Sequence, residues 1–522
     1  MSFMEILPRP QYQEDSSTGP QLWIDEQIWG HRLHDEQTPW LTMLEFLGIL
    51  HAEHRQGRAL SEARLNELTY RPQLQLRLRN LLFNNPHMAV VRASGKNDEG
   101  MWTQWLDLMS AGAGGLENKD FSYLRDRFET FKDFDAVVSF LQGSSIEGGG
   151  NKRWSSKFIF PFGVNSLYED AKVSASGGVS TDRRFFGRTG EILYLMLCRS
   201  KRAADLAARL DNRLLKVEGP YDKLVGALQN TAETTVKERA GSYLPCSQYA
   251  CFDHLAEDWI AVLDLEIPAY DALPHMVTLL GLHILLYQLA RAAEVFPEQR
   301  KISLVCEIVS PKRSNVRELS ANSYQQNNTL PGEALEAFVR LVADTPEWKS
   351  ALASEEPGAS AVEVLSRKFD WPERDDAEKV KASPDALLAE LLKTASKRHK
   401  LHVGKFHATW ARLIGLSSRR ASRRTRYAPT DRLLKTLVIC AVDGRMEFKE
   451  FLEHLHQRYG MVIGDRQAQD FIARGDADQE NFSDNARWLE ERLASLGLLE
   501  RLSDSCAFVK NPFKRRFSLE CT

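Results

Sequence analysis

The chain has 522 residues, a formal net charge of −3, 43% hydrophobic and 27% charged residues, and seven cysteines. That is ordinary globular composition, long enough for several domains, and it excludes a disordered, fibrous or uniformly basic protein. Seven scattered cysteines, an odd number, exclude a disulfide framework and point to reduced thiols in the cytoplasm.

Residues 1–20 read as a flexible tail rich in Gln, Ser and Pro, with no secretory pattern. Residues 21–150 form the first helical domain. Within it, Trp40, Leu44, Leu47 and His51 fall at helical spacing, as do Leu74, Leu78, Leu81 and Leu82. Residues 112–190 carry three glycine-rich patches and read as loops and short extended segments. Residues 151–330 form a central α+β domain. Its expected elements are a helix over 191–210, a long helix over 272–295 starting near Pro274, a buried strand over 301–310, and a helix from Asn315. The longest apolar run, residues 276–290, contains His283 and Gln288. It reads as a buried helix too short and polar to span a membrane. Residues 331–392 are a helical region ending in a charged linker.

Residues 393–428 form a basic helix and an arginine-rich arm. Residues 393–426 hold eleven Lys and Arg and no Asp or Glu. Phe406, Trp410, Leu413 and Ile414 give the first part an apolar stripe, and residues 417–427 follow as the Ser/Arg-rich arm. Arginine forks pair with phosphate oxygens and position a protein on a nucleic acid without reading its sequence. The candidate phosphate ligands are Lys397, Arg398, Lys400, Arg419, Arg420, Arg423, Arg424 and Arg426. A solvated linker, or an arm docked on another subunit, is the alternative.

Residues 429–522 read as a winged-helix domain. Thr430 caps a helix with Leu433, Leu434, Leu437 and Val438 on one face, ended by Gly444. A second helix carries Phe448, Phe451, Leu452, Leu455 and Tyr459 and ends at Gly460. Met461, Val462 and Ile463 are a short strand. A third helix starts near Ser483, and a hairpin turns at residues 503–505. Such modules either read DNA with the third helix or mediate protein contacts only. Here the third helix mixes Arg487, Glu490, Glu491 and Arg492, a poor surface for phosphate. The expected fold class is therefore mainly α (α+β), with a multi-domain helical body and a C-terminal winged helix.

No catalytic residue, metal set or cofactor site emerges. Cys246, Cys251 and His254 lack a fourth zinc ligand. His51 and His54 miss the zincin spacing. Gly148, Gly149 and Gly150, with Lys152, Arg153 and Lys157, are not a P-loop and read as a flexible surface loop, with an anion cradle as the alternative. Arg183, Arg184 and Arg188 precede a helix N-terminus near Gly190, which suits either an anion site or an interface or packing role. Glu307 and Lys312 follow the strand as a nuclease core would require, without a clear upstream partner.

Three stretches carry a resemblance. They are residues 158–163 (FIFPFG), 183–194 (RRFFGRTGEILY) and 427–435 (YAPTDRLLK). They resemble accessory proteins of bacterial anti-phage defence islands, the methylation-associated defense system and phosphorothioation-dependent restriction loci being the nearest. The resemblance implies a role in phage defence beside partner subunits and assigns no reaction. The function expected is a non-enzymatic accessory subunit that binds DNA through the basic arm. A metal-dependent nuclease of the same system, or a winged-helix regulator, is the alternative.

Overall fold

The structure, a computed structural model, describes residues 22–61, 68–70, 76–83, 85–116, 118–143, 163–166, 171–173, 179–181, 188–215, 219–230, 242–298, 300–308, 315–371, 377–420, 423–503 and 506–514. These are mostly helical, with four small sheets among the described residues. The tail 1–20, the Gly148–Gly150 loop with Lys152, Arg153 and Lys157, the stretch 158–162, Arg183 and Arg184, and Lys312 lie outside them.

The helix Ala269–Ala293 runs through the centre. It is apolar on every face, which suits a helix surrounded by others. By length and composition it could cross a membrane, yet 89% of its apolar window is buried in the protein. It starts five residues before Pro274, because Pro268 is extended and its carbonyl already accepts from Asp271 and Ala272. Pro274 sits inside the helix instead of opening it. Gly281 lets the chain near Ile414 approach, since a Cβ there would lie 2.4 Å from Ile414 Cγ2.

Three expected elements change shape. The helix expected over 191–210 is two, Thr189–Cys198 and Ala203–Leu210. The break is held by Asp253, whose Oδ1 accepts from Ser200 Oγ at 3.0 Å and the Lys201 amide at 2.7 Å. The region 112–190 contains the helix Phe131–Gly143, with Phe131, Phe134, Val138 and Leu141 buried on one stripe. They pack with Trp102 and Trp105 in a second core formed mainly by residues 76–143. Of the strand expected over 301–310, the described residues 301–308 form a strand at Leu304–Val305, paired in parallel with Met461–Val462.

That pairing joins the C-terminal module to the body. The module runs helix Asp431–Ala441, strand Arg445–Glu447, helix Phe448–Tyr459, strand Met461–Val462, short helix Gln469–Ala473, helix Gln479–Ser495, then strands Leu499–Ser503 and Cys506–Lys510. Cys506–Lys510 lies between the other two strands of an antiparallel sheet, pairing with Arg445–Glu447 on one side and Leu499–Ser503 on the other. Gly460 ends the second helix in the left-handed region at φ 69°, a position glycine adopts without strain.

Two polar groups reinforce the junction. Asp258 accepts from Arg458 Nε at 2.8 Å and Tyr459 Oη at 2.7 Å and contacts His283 Nε2 at 2.7 Å. Asn485 is fully buried. Its Nδ2 donates to the Cys306 and Ile463 carbonyls at 3.0 and 2.9 Å, and its Oδ1 accepts from the Ile308 amide at 2.8 Å. Asn485→Ala strips partners from three buried backbone groups, so a loss of about 3 kcal/mol or more is expected in urea unfolding. A loss under about 1 kcal/mol would show that the third helix is not docked through this amide.

Candidate nucleic-acid interface

The basic segment begins on the helix Pro384–His402. Ser383 caps it, accepting from the Ala386 amide, and Pro384 opens it. Leu387, Leu391, Ala395 and His399 form its buried stripe, and Lys393, Lys397 and Lys400 are exposed, with Arg398 half-buried. His399 Nδ1 sits 2.7 Å from Asp25 Oδ1, fixing the helix to the N-terminal helix Leu22–Trp29. The next helix, Phe406–Leu413, buries Phe406 and Trp410, whose rings stack at 4.4 Å.

The chain then folds back, so the stretch read as an arm is a hairpin. Gly415, at φ 79°, makes the turn, and a Cβ there would strike Thr430 Oγ1. Ser417–Ser418 pairs antiparallel with Arg426–Tyr427. Arg419, Arg420, Arg423 and Arg424 are exposed on the connection. Arg419 Nε donates to the Arg423 carbonyl at 3.2 Å, and Arg424 Nη2 to Asn322 Oδ1 at 2.7 Å.

Arg426 is the exception among the phosphate candidates. It is 0% exposed and donates to Glu307 Oε2 and, from Nη1 at 3.0 Å, to the Arg420 carbonyl. A guanidinium so enclosed cannot reach a phosphate, and its assignment as a ligand is corrected to that of an anchor for the hairpin.

Charge pairing separates two surfaces. In the C-terminal module Arg487 pairs with Asp484, Arg492 with Asp431, Arg501 with Glu490, Lys510 with Glu500, and Lys514 with Asp443. Among the described residues, no carboxylate lies within ion-pair distance of Lys393, Lys397, Lys400, Arg419, Arg420 or Arg423. Among these residues, cations without an ion pair thus occur on the hairpin and on the lysine face of helix Pro384–His402, and also in the module at Lys435, Arg445, Lys449 and Arg466, whereas Arg487 and Arg492 on the module's third helix are both paired.

Beneath the hairpin lies a buried polar cluster. Glu307 accepts from Arg317 Nε at 2.6 Å through Oε1 and from Arg426 through Oε2. Both oxygens of the carboxylate that a nuclease would need are engaged. Tyr427 Oη accepts from Asn327 at 3.0 Å and lies 2.9 Å from Nε2 of the fully buried His407. Burial holds the His407 pKa down to about 4, and burial, with Arg32 and His402 nearby, does the same for His34.

The sign of the resulting pH dependence is fixed. The unfolded chain takes up these protons first, so stability is fully present above pH 6.5 and is lost as pH falls toward 4. Between pH 7 and 5 each histidine removes about 2 kcal/mol. Urea unfolding at the two pH values, wild type beside His407→Gln, is expected to show a smaller drop in the variant. Equal drops would show that His407 is not held neutral by the fold.

The remaining candidates resolve into structure. The N-terminus of helix Thr189–Cys198 is occupied by the protein's own Glu45, whose Oε2 accepts from the Gly190 amide at 2.8 Å. Arg188 donates to Glu191 at 2.7 Å and lies 2.9 Å from His31 Nε2. His54 pairs with Asp211. Burial raises the Cys246 and Cys251 thiol pKa values, which disfavours the thiolate form. No group of three His, Cys, Asp or Glu placed to hold a metal occurs among the described residues. Sequence reasoning missed Asn322, which receives Arg424. A carboxamide on a polar helix face carries no local signal.

Residues 411–511 match the model of a family described as Methylation-associated defense system protein MAD7. The matched segment begins in the helix Phe406–Leu413, includes the whole hairpin with its four exposed arginines, and ends after the strand Cys506–Lys510. No curated protein and no solved structure matches the chain.

Proposed function

We propose that this chain, whose membership in the methylation-associated defense system family is supported by that match, is a non-enzymatic accessory subunit acting in the cytoplasm. It binds the DNA backbone through the basic hairpin and contacts other subunits of the system through its helical body. The observation that carries this reading is the set of exposed arginines, Arg419, Arg420, Arg423 and Arg424, on a hairpin anchored by the buried Arg426. A short hairpin with a fixed base holds its cations ready, so less side-chain and backbone freedom is lost on binding than in a loose tail.

The C-terminal module is read as a winged helix, supported by its three main helices and the sheet that brings the first short strand beside the final hairpin. The paired arginines of its third helix favour a docking role over base reading by that helix. Phosphate contact carries no sequence information. Fluorescence anisotropy with two unrelated duplexes is therefore expected to give equal affinities that fall together as salt rises. Strong preference for one duplex that persists at high salt would instead indicate a sequence-reading regulator.

A further inference from the structure

The helix Val316–Arg340, the short helix Gln469–Ala473 and the segment leading into Leu304–Val305 enclose a cleft of about 450 Å³. Small-ligand sites run from roughly 300 to 1,000 Å³. One wall presents Asn322 and Gln326, four residues apart and so on one helical face. Because Asn322 Oδ1 accepts from Arg424, the basic hairpin forms the rim. The opposite wall holds Phe471, with the Arg474 guanidinium 5.0 Å from its ring centroid.

Charge inside the cleft cancels. Lys301 pairs with Asp470, and Arg474 with Asp476 at 3.0 Å. Other polar groups there are committed: Ser323 Oγ and Asn327 Nδ2 both donate to the Ser303 carbonyl. Asn322 Nδ2 and the exposed Gln326 carboxamide have no hydrogen-bond partner among the described residues. The cleft thus offers amide donors and acceptors beside an aromatic ring, with no net charge, behind a rim of cations. A phosphate is held better at the rim. A planar, neutral group with donors and acceptors on its edge fits the interior.

We propose that the cleft receives one unstacked nucleobase from a DNA strand whose phosphates lie on the hairpin. The inference rests on the hairpin acting as a phosphate clamp. Asn and Gln carboxamides present a donor and an acceptor side by side, the pattern that pairs with a base edge. Aromatic rings beside a basic groove stack bases without selecting among them.

The test compares three duplexes of one sequence: fully paired, with a single bulged 2-aminopurine, and with an abasic residue at the bulge. The bulged base is expected to bind about tenfold tighter than either of the others, the gain of one stacked base. Its fluorescence is expected to change on binding. In Gln326→Ala, which removes the edge contact and keeps the Phe471 ring, the ratio of bulged to abasic affinity falls below the wild-type value. Equal affinities for bulged and abasic duplexes, or an unchanged ratio in Gln326→Ala, overturn the cleft assignment while leaving the clamp in place. Failure to bind any of the three overturns the clamp, and the cleft with it.

Discussion

Changing Arg419, Arg420, Arg423 and Arg424 together to Ala is expected to lower affinity for duplex DNA by on the order of 10³-fold at 0.1 M salt. Each phosphate contact releases close to one counterion, and four lost contacts remove roughly 3.6 decades at that concentration, an upper value reached when all four engage. The fold should hardly notice. The four side chains are exposed, and such substitutions usually stay within about 0.5 kcal/mol. Anisotropy titration beside thermal unfolding separates the two effects. The matching control is Arg487→Ala with Arg492→Ala on the third helix of the C-terminal module. Both arginines are already paired with carboxylates, and their loss is expected to change affinity less than threefold. Were the control to weaken binding as much as the hairpin variant, the DNA surface would lie on the module.

The second large effect is on stability and comes from the one arginine of the hairpin that cannot touch DNA. Arg426→Ala leaves the buried Glu307 with Arg317 alone, and breaking a buried pair from one side costs about 3–5 kcal/mol. Urea unfolding of Arg426→Ala should show that loss, whereas Arg423→Ala shows nearly none. Replacing both members, Glu307→Met with Arg426→Met, is expected to recover part of it, because the fully buried carboxylate and guanidinium leave together and the remaining partner, Arg317, is half-buried and can turn toward water. If Arg426→Ala were as stable as wild type, the hairpin would not be anchored through Glu307. Pooling Arg426 with the four exposed arginines in one variant would confuse an unfolded hairpin with a lost contact.

The C-terminal module was legible in the sequence for local reasons. Its helices carry clean apolar stripes, Thr430 and Gly460 stand at their ends, and the polar sequence 503–505 separates its last two strands. The strand Arg445–Glu447 was not legible. It has three residues and no apolar alternation, and it exists because Cys506–Lys510 offers it a partner some sixty residues later in the chain. The positive charge of residues 393–426 was plain, but its division into exposed cations and a buried anchor was not. Arg419 and Arg426 look alike in sequence, and what separates them is Glu307, 119 residues from Arg426. Similarly, a helix N-terminus at Thr189 beside arginines reads as an anion site until Glu45, 145 residues from Gly190, is seen to fill it. Where a function depends on which polar group finds which partner across the chain, local pattern stops short.

The most direct test of the central claim is the slope of log affinity against log salt concentration for duplex DNA, measured for wild type and for the variant with Ala at 419, 420, 423 and 424. The wild-type slope is expected to be steeper by roughly 3–4, one unit short of or equal to the number of arginines removed. Parallel lines, or no binding by either protein, would contradict it and leave the hairpin as a surface for another protein.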